Sequence, residues 1–234
     1  MMQYDIVFIS YDELCAEDNW LNLRRRFPKV KRVHGVDGIL NAHKLAAQAV
    51  SGEWFFVVDG DNKIHSEFDF ALPESQLCDD TTYVWRCINS VNGLCYGNGG
   101  VKLFNKRVFA TVDEFWGDMT MSLSKRYKPV DVVASTTIIN ASAFHAWRAA
   151  FRESVKLSVP RKRVREEFIR QQRLGQWSNV KEDVEYAQWV ARGCVEGIEF
   201  YRQCSATGED HASFINNFNW LQQRFNEKYS EDQR

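Results

Sequence analysis

A chain of 234 residues is long enough for one sizeable domain, with room for a helical part appended to it. Its 44% apolar and 26% charged residues place it among ordinary soluble globular proteins. A formal net charge of −1 excludes a global electrostatic drive toward nucleic acid or membranes.

The chain opens MMQYDIVFIS, with no basic stretch ahead of the apolar one, so no signal peptide is expected. No apolar run reaches membrane-spanning length, which leads to a cytoplasmic location (the host cytoplasm if phage-encoded) and no membrane partner. The six cysteines, Cys15, Cys78, Cys87, Cys95, Cys194 and Cys204, form no CxxC pair and are expected to be reduced thiols.

In chain order, residues 4–10 predict a strand, being apolar and β-branched. Residues 18–27 predict a short helix capped by Asp18 and stopped by Pro28, and residues 30–36 a second strand. The Ala-rich stretch 41–51 predicts a helix ending at Gly52, and residues 54–58 a third strand. This β-α-β-α-β order implies a parallel sheet covered on both faces, with ligands beyond the carboxyl ends of its strands. Further strands are expected at 82–91, 101–104 and 130–140, the first two separated by the Gly-rich turn NGLCYGNGG. Helices are expected at 144–157, 161–174, 184–193 and 214–229. The division this suggests is a sheet-bearing core over 1–140 and a helical, acceptor-side region over 141–234, within one domain overall.

The third strand runs straight into Asp59-Gly60-Asp61. Two carboxylates one residue apart repel unless a counter-charge joins them, and a hard divalent cation such as Mg²⁺ or Mn²⁺ would supply it while carrying a nucleotide diphosphate. Taken alone, these residues fit a solvated turn equally well.

The stretch VDGILNAHKLAAQAVSGEWFFVVDGDNKI resembles the nucleotide-sugar-binding half of GT-A fold glycosyltransferases, over about the first 110 residues. The resemblance is to small soluble enzymes of bacteria and phages. It implies an α/β fold with a Rossmann-like, mixed and mainly parallel sheet flanked by helices. It also implies metal-dependent transfer of a sugar from a nucleoside-diphosphate sugar, UDP-sugar first, to a hydroxyl acceptor. By the same resemblance Asp59, Gly60 and Asp61 hold metal and diphosphate. Tyr11, Asp12 and Glu13 lie near base and ribose, and Asp37 and Lys44 contact base or phosphate. Gly99 and Gly100 let the backbone approach the donor sugar. His145 is the preferred third metal ligand, ahead of His211. Asp118 is the acceptor-side base, with Asp113 and Glu114 as alternatives; the family's usual Glu-Asp pair is missing there.

A basic segment completes the reading. Residues 156–173 hold seven Lys or Arg against two Glu, so the neutral total hides a local excess. Arg148 and Arg152 fall on one helical face and precede Arg161, Lys162 and Arg163. These five point to an anionic acceptor, with a hydroxymethylated base in phage DNA as the named case. Polysaccharide, lipid-linked or protein acceptors remain alternatives, as do a DxD phosphohydrolase and a non-catalytic nucleic-acid-binding module. A phosphohydrolase wants DxDx[TV] on the first strand, whereas Lys63 follows here on the third. A sugar nucleotidylyltransferase wants a Gly-rich loop after the first strand, where SYDELC stands.

Overall fold

The computed structural model describes residues 4–97, 99–110, 112–114 and 119–230, the side chains of residues 121 and 122 excepted. It divides into two compact units, Met1–Ile138 and Ile139–Arg234.

The first unit is built on one mixed sheet. Its strands are β1 (Asp5–Ser10), β2 (Lys31–His34), β3 (Trp54–Asp59), β4 (Asn62–Ile64), β5 (Thr81–Asn89), β6 (Cys95–Tyr96), β7 (Val101–Asn105) and β8 (Arg126–Thr137). The order across the sheet is β2-β1-β3-β7-β5-β8-β4, with β6 pairing β5 off this path. Parallel pairing holds for β1 with β2, β1 with β3 and β5 with β8. The β7 strand enters antiparallel between β3 and β5, so the sheet reverses direction beside β3.

Among the described residues this unit has the helices α1 (Ala16–Arg26), α2 (Ile39–Ala49) and the single turn α3 (Met119–Ser122). Their placement follows from strand alternation. Ile6 and Phe8 of β1 and Phe56 and Val58 of β3 share a core with Ala16 and Leu23 of α1. Val7 of β1 and Phe55 and Val57 of β3 face the other way, onto Ala42, Ala46 and Ala47 of α2. Successive side chains leave a strand on opposite faces, so a run that is apolar at every position needs a cover on each side.

The α1 helix begins earlier than the sequence predicts. Cys15 stands at its N-cap, and Asp18 is inside the first turn with Glu17, where negative charge favours the helix dipole. Arg24, Arg25 and Arg26 complement the dipole at the other end. The Ala-rich α2 starts after Gly38, whose φ of +85° is strained for any residue with a Cβ.

The second unit is helical: α4 (Ala143–Ser158), α5 (Val164–Ser178), α6 (Ala187–Thr207), α7 (His211–Ile215) and α8 (Phe218–Tyr229). Helices α4 and α6 touch through glycine. A Cβ on Gly193 would stand 2.4 Å from the carbonyl oxygen of Trp147, and one on Gly197 the same distance from that of Phe151. Two glycines four residues apart thus bring one backbone directly onto the other. The aromatic residues left between the helices form the core: Trp147, Phe151, Phe200, Trp189 and Phe225. Helix α6 therefore runs well past residue 193, where the sequence reading stopped it.

Candidate functional site

The carboxyl ends of β1 and β3 lie side by side, with Ile9 opposite Asp59 in the parallel register. After Asp59 the chain turns through Gly60 and returns as β4, which pairs antiparallel with β8, Asn62 opposite Thr137. The Asp59 amide donates to the Gly100 carbonyl at 3.0 Å, and the Asp61 carbonyl accepts from the Ile138 amide at 2.7 Å. The DxD segment is therefore held between β7 and the end of β8 and is no free surface turn.

Each side chain in this segment has a defined surrounding. Lys102 of β7 is only 1% exposed, and its ammonium donates to both oxygens of Asp59 at 2.7 and 2.9 Å. A buried lysine must be paired, and Asp59 is its partner here. Asn62 is 1% exposed and is gripped from three sides. Its Oδ1 accepts from Ser135 Oγ at 2.7 Å and Thr137 Oγ1 at 2.9 Å, while its Nδ2 donates to Asp61 Oδ1 at 2.7 Å. Asn62 thereby orients the Asp61 carboxylate.

Glu13 closes the site from the β1 side. Its Oε2 accepts from the Tyr11 amide at 2.8 Å and lies against Gly60, where an added Cβ would come within 2.7 Å of it. Gly60 also passes its carbonyl to Asn19 Nδ2 of α1 at 2.9 Å. A side chain at position 60 would push the Glu13 carboxylate out of this place.

Burial raises the pKa of Asp61 to about 7, helped by the charges of Asp59 and Glu13 and opposed by the Asn62 hydrogen bond and by Lys102. Among the described residues, three carboxylates, Glu13, Asp59 and Asp61, face the one ammonium of Lys102. His43 adds nothing to the balance. Its Nδ1 donates to the Ile39 carbonyl at 2.8 Å, and burial, reinforced by Lys102, pulls its pKa down to about 3, so it stays neutral. Cys15 is equally inert, its thiol pushed up to about 11 by burial and then by Asp61. All six cysteines are free thiols.

The structure thus gathers Glu13, Asp59, Gly60, Asp61 and Gly100 from the residues named by the sequence. Gly100 has a packing use. A Cβ there would fall 2.3 Å from Asn62 Oδ1, so the glycine makes room for the Asn62 anchor. Gly99, at φ +84°, supplies the left-handed turn before it. Tyr11 and Asp12 are exposed beside Glu13. Asp37 is exposed, its carbonyl accepting from Asn41 Nδ2 at 3.1 Å. Lys44 pairs with Asp113 at 3.0 Å and borders a cavity of about 510 Å³ with Glu53, Lys106 and Arg107. Those last residues stand at the Trp54 end of β3, at least five residues from Asp59 along the strand, so Lys44 does not join the carboxylate site. Glu114 is exposed, and Asp118 lies outside the described residues.

Lys102 and Asn62 are the residues holding this segment that sequence reasoning missed. The signal for Lys102 was a lysine inside VKLFN, a strand whose other residues read as buried. Among the described residues, no group of three or more His, Cys, Asp or Glu side chains is placed to hold a metal ion.

In the second unit, His145 sits in the first turn of α4, its Nδ1 2.7 Å from the hydroxyl of the capping Ser142. His211 begins α7, edge-on to Tyr201. The five cations expected to meet DNA divide into two groups. Arg148 and Arg152 both cover the Phe218 ring, at 4.8 and 4.9 Å, and Arg152 Nε donates to the Ile215 carbonyl at 2.7 Å. Burial lowers the pKa of Arg152. These two arginines therefore take part in the packing of the second unit. Arg161, Lys162 and Arg163 are exposed.

No protein-family model matches the chain, and no curated protein matches it. Among the solved structures that the chain matches are three with low sequence identity. HddC from Yersinia pseudotuberculosis is 14% identical over 57% of this chain and 92% of that one, with a TM-score of 0.37. A glycosyltransferase involved in the glycosylation of the major capsid of PBCV-1 is 12% identical over 59% and 94%, with a TM-score of 0.39. Residues 1–349 of S. aureus TarS are 10% identical over 88% and 93%, with a TM-score of 0.37.

Proposed function

We propose that this protein is a glycosyltransferase of the GT-A kind, taking a sugar from a nucleoside-diphosphate donor at the ends of β1 and β3. The observation that carries the reading is the charge balance at Asp59, Asp61 and Glu13. Among the described residues Lys102 sets one positive charge against these three carboxylates, a deficit of two, and Asp61 responds by holding a proton up to about pH 7. One Mg²⁺ or Mn²⁺ supplies that deficit. Mg²⁺ in particular is commonly held by one or two carboxylates together with substrate phosphates rather than by an all-protein cage. Asp59 and Asp61 would hold the cation, and the Asn62 hydrogen bond to Asp61 Oδ1 leaves Oδ2 of that carboxylate available.

A bound cation of this kind offsets the charge that grows on a departing nucleoside diphosphate. The chain's own residues do the rest. Lys102 fixes the Asp59 carboxylate, and Asn62, itself fixed by Ser135 and Thr137, fixes that of Asp61. Side chains pre-set in this way cost nothing to order when the donor arrives. Tyr11, 51% exposed beside Glu13, offers a flat ring to the donor's base or sugar.

The acceptor is a hydroxyl compound in this proposal. DNA is not carried further, because two of the five cations expected to hold it are committed inside the second unit.

The test is donor hydrolysis: release of nucleoside diphosphate from a panel of nucleotide sugars with Mn²⁺, in wild type and Asp61→Asn. The reading expects turnover of one nucleotide class, lost in the variant and lost on chelation. Hydrolysis of a generic phosphate ester, with no nucleotide sugar consumed, would put a phosphohydrolase in its place.

A further inference from the structure

The total charge of the chain speaks against a membrane partner, yet the placement of its charges on α5 speaks for one. Helix α5 has a clear inner side: Glu167, Arg170, Arg173 and Leu174 are partly buried and Trp177 is buried, a spacing of three and four residues. Every other residue of the helix is exposed. That outer side carries large apolar groups, Val164 at 88%, Phe168 at 59% and Ile169 at 40% exposure. At 3.6 residues per turn, Val164, Phe168, Arg165 and Ile169 share an arc of about 140°.

Cations surround these groups. Arg161, Lys162, Arg163 and Arg165 are all exposed, within five residues that hold no carboxylate. The two acids that follow are engaged. Glu166 pairs with Arg163 at 3.3 Å. Glu167 turns inward, accepting from Arg170 Nε at 2.7 Å, Gln171 Nε2 at 2.9 Å and the Arg161 amide at 2.9 Å.

We propose that α5 and the segment leading into it form a docking surface for an anionic lipid bilayer. Val164 and Phe168 enter the headgroup boundary, and Arg161, Lys162, Arg163 and Arg165 meet the lipid phosphates. Among the described residues no helix is long and apolar enough to cross a bilayer, and attachment along the interface needs none. Nucleic acid would satisfy the cations equally well. It would not satisfy Val164 and Ile169, which have no ring to stack on a base and gain nothing from a sugar-phosphate backbone. The proposal stands independently of the glycosyltransferase reading.

The test is co-sedimentation of the full chain with vesicles of phosphatidylcholine and phosphatidylglycerol, against phosphatidylcholine alone. Single- and double-stranded oligonucleotides are run in parallel. Binding to the mixed vesicles alone is expected, weakening as salt rises. Arg161→Ala with Lys162→Ala and Arg163→Ala should lower the partition coefficient on the order of 100-fold. Val164→Glu with Phe168→Glu should lower it at least about tenfold. These side chains lie on the solvent side, so unchanged far-ultraviolet circular dichroism confirms the fold in each variant. No binding to the mixed vesicles overturns the proposal, as does binding indifferent to the Val164 and Phe168 changes. Oligonucleotide binding without vesicle binding overturns it in favour of nucleic acid.

Discussion

Replacing Lys102 with Met keeps an unbranched side chain and deletes the charge that fixes Asp59. The Lys102 side chain is 2% exposed and its ammonium sits 2.7 Å from the carboxylate, so the pair is buried at the lysine end. Deleting one partner of a fully buried pair costs about 3–5 kcal/mol, because the other charge is stranded. The Asp59 side chain is 34% exposed, so water recovers part of its solvation and the loss should fall to about 2–3 kcal/mol. Two neighbouring carboxylates, Asp61 and Glu13, lose the same counter-charge, which prevents a smaller figure. Urea denaturation at pH 7.5 reads the change directly, and a second step separates charge from packing. In Lys102→Met with Asp59→Asn the stranded charge is gone, so the double variant should be more stable than Lys102→Met alone. If Lys102→Met lies within about 0.5 kcal/mol of wild type, or the two changes simply add, the pair does not organise the site.

Four further outcomes follow from the same structure. The Asp61 pKa rises from 3.8 to about 7 on folding, so the folded chain holds an extra proton between those values and stability from this group falls as pH climbs through that window. Asp61→Asn should flatten that slope in denaturation midpoints from pH 4 to 8 and be the more stable protein at pH 8. Gly193→Ala drives a methyl to 2.4 Å from the Trp147 carbonyl and should cost about 1–3 kcal/mol by calorimetry, by forcing α4 and α6 apart. Gly100→Ala, at 2.3 Å from Asn62, should displace the Asn62 anchor and abolish donor hydrolysis, while circular dichroism still shows a folded chain. Arg152→Ala should lower thermal stability, through loss of the Ile215 hydrogen bond and the Phe218 stacking, and leave oligonucleotide affinity unmoved.

Much of the carboxylate site could be read in the sequence because it is built from local signals. An unbroken apolar run must be a strand covered on both faces, and polar residues at its end must lie at the sheet's carboxyl edge. What escaped was long-range. Lys102 stands 43 residues from Asp59, and only the antiparallel entry of β7 beside β3 brings them together. Strand β4 is three residues long and starts on Asn62, a residue type that reads as turn, so its pairing with β8 left no periodic trace. Glycine misled in α6: Gly193 looks like a helix stop, and its use is to admit the Trp147 backbone. The spacing of Arg148 and Arg152 showed that they share a face, but the Phe218 ring that covers this face comes from α8.

The central claim is that the acidic pair ending β3 takes up a cation together with a nucleotide diphosphate. Calorimetric titration of the protein with UDP and other nucleoside diphosphates, with Mn²⁺ and with chelator, at pH 5.5 and pH 8, addresses it most directly. Cation-dependent binding that is tighter at pH 8, where Asp61 has lost its proton, and absent in Asp59→Asn and Asp61→Asn, is the predicted result. Binding of equal strength with chelator present, or in Asp61→Asn, would contradict it.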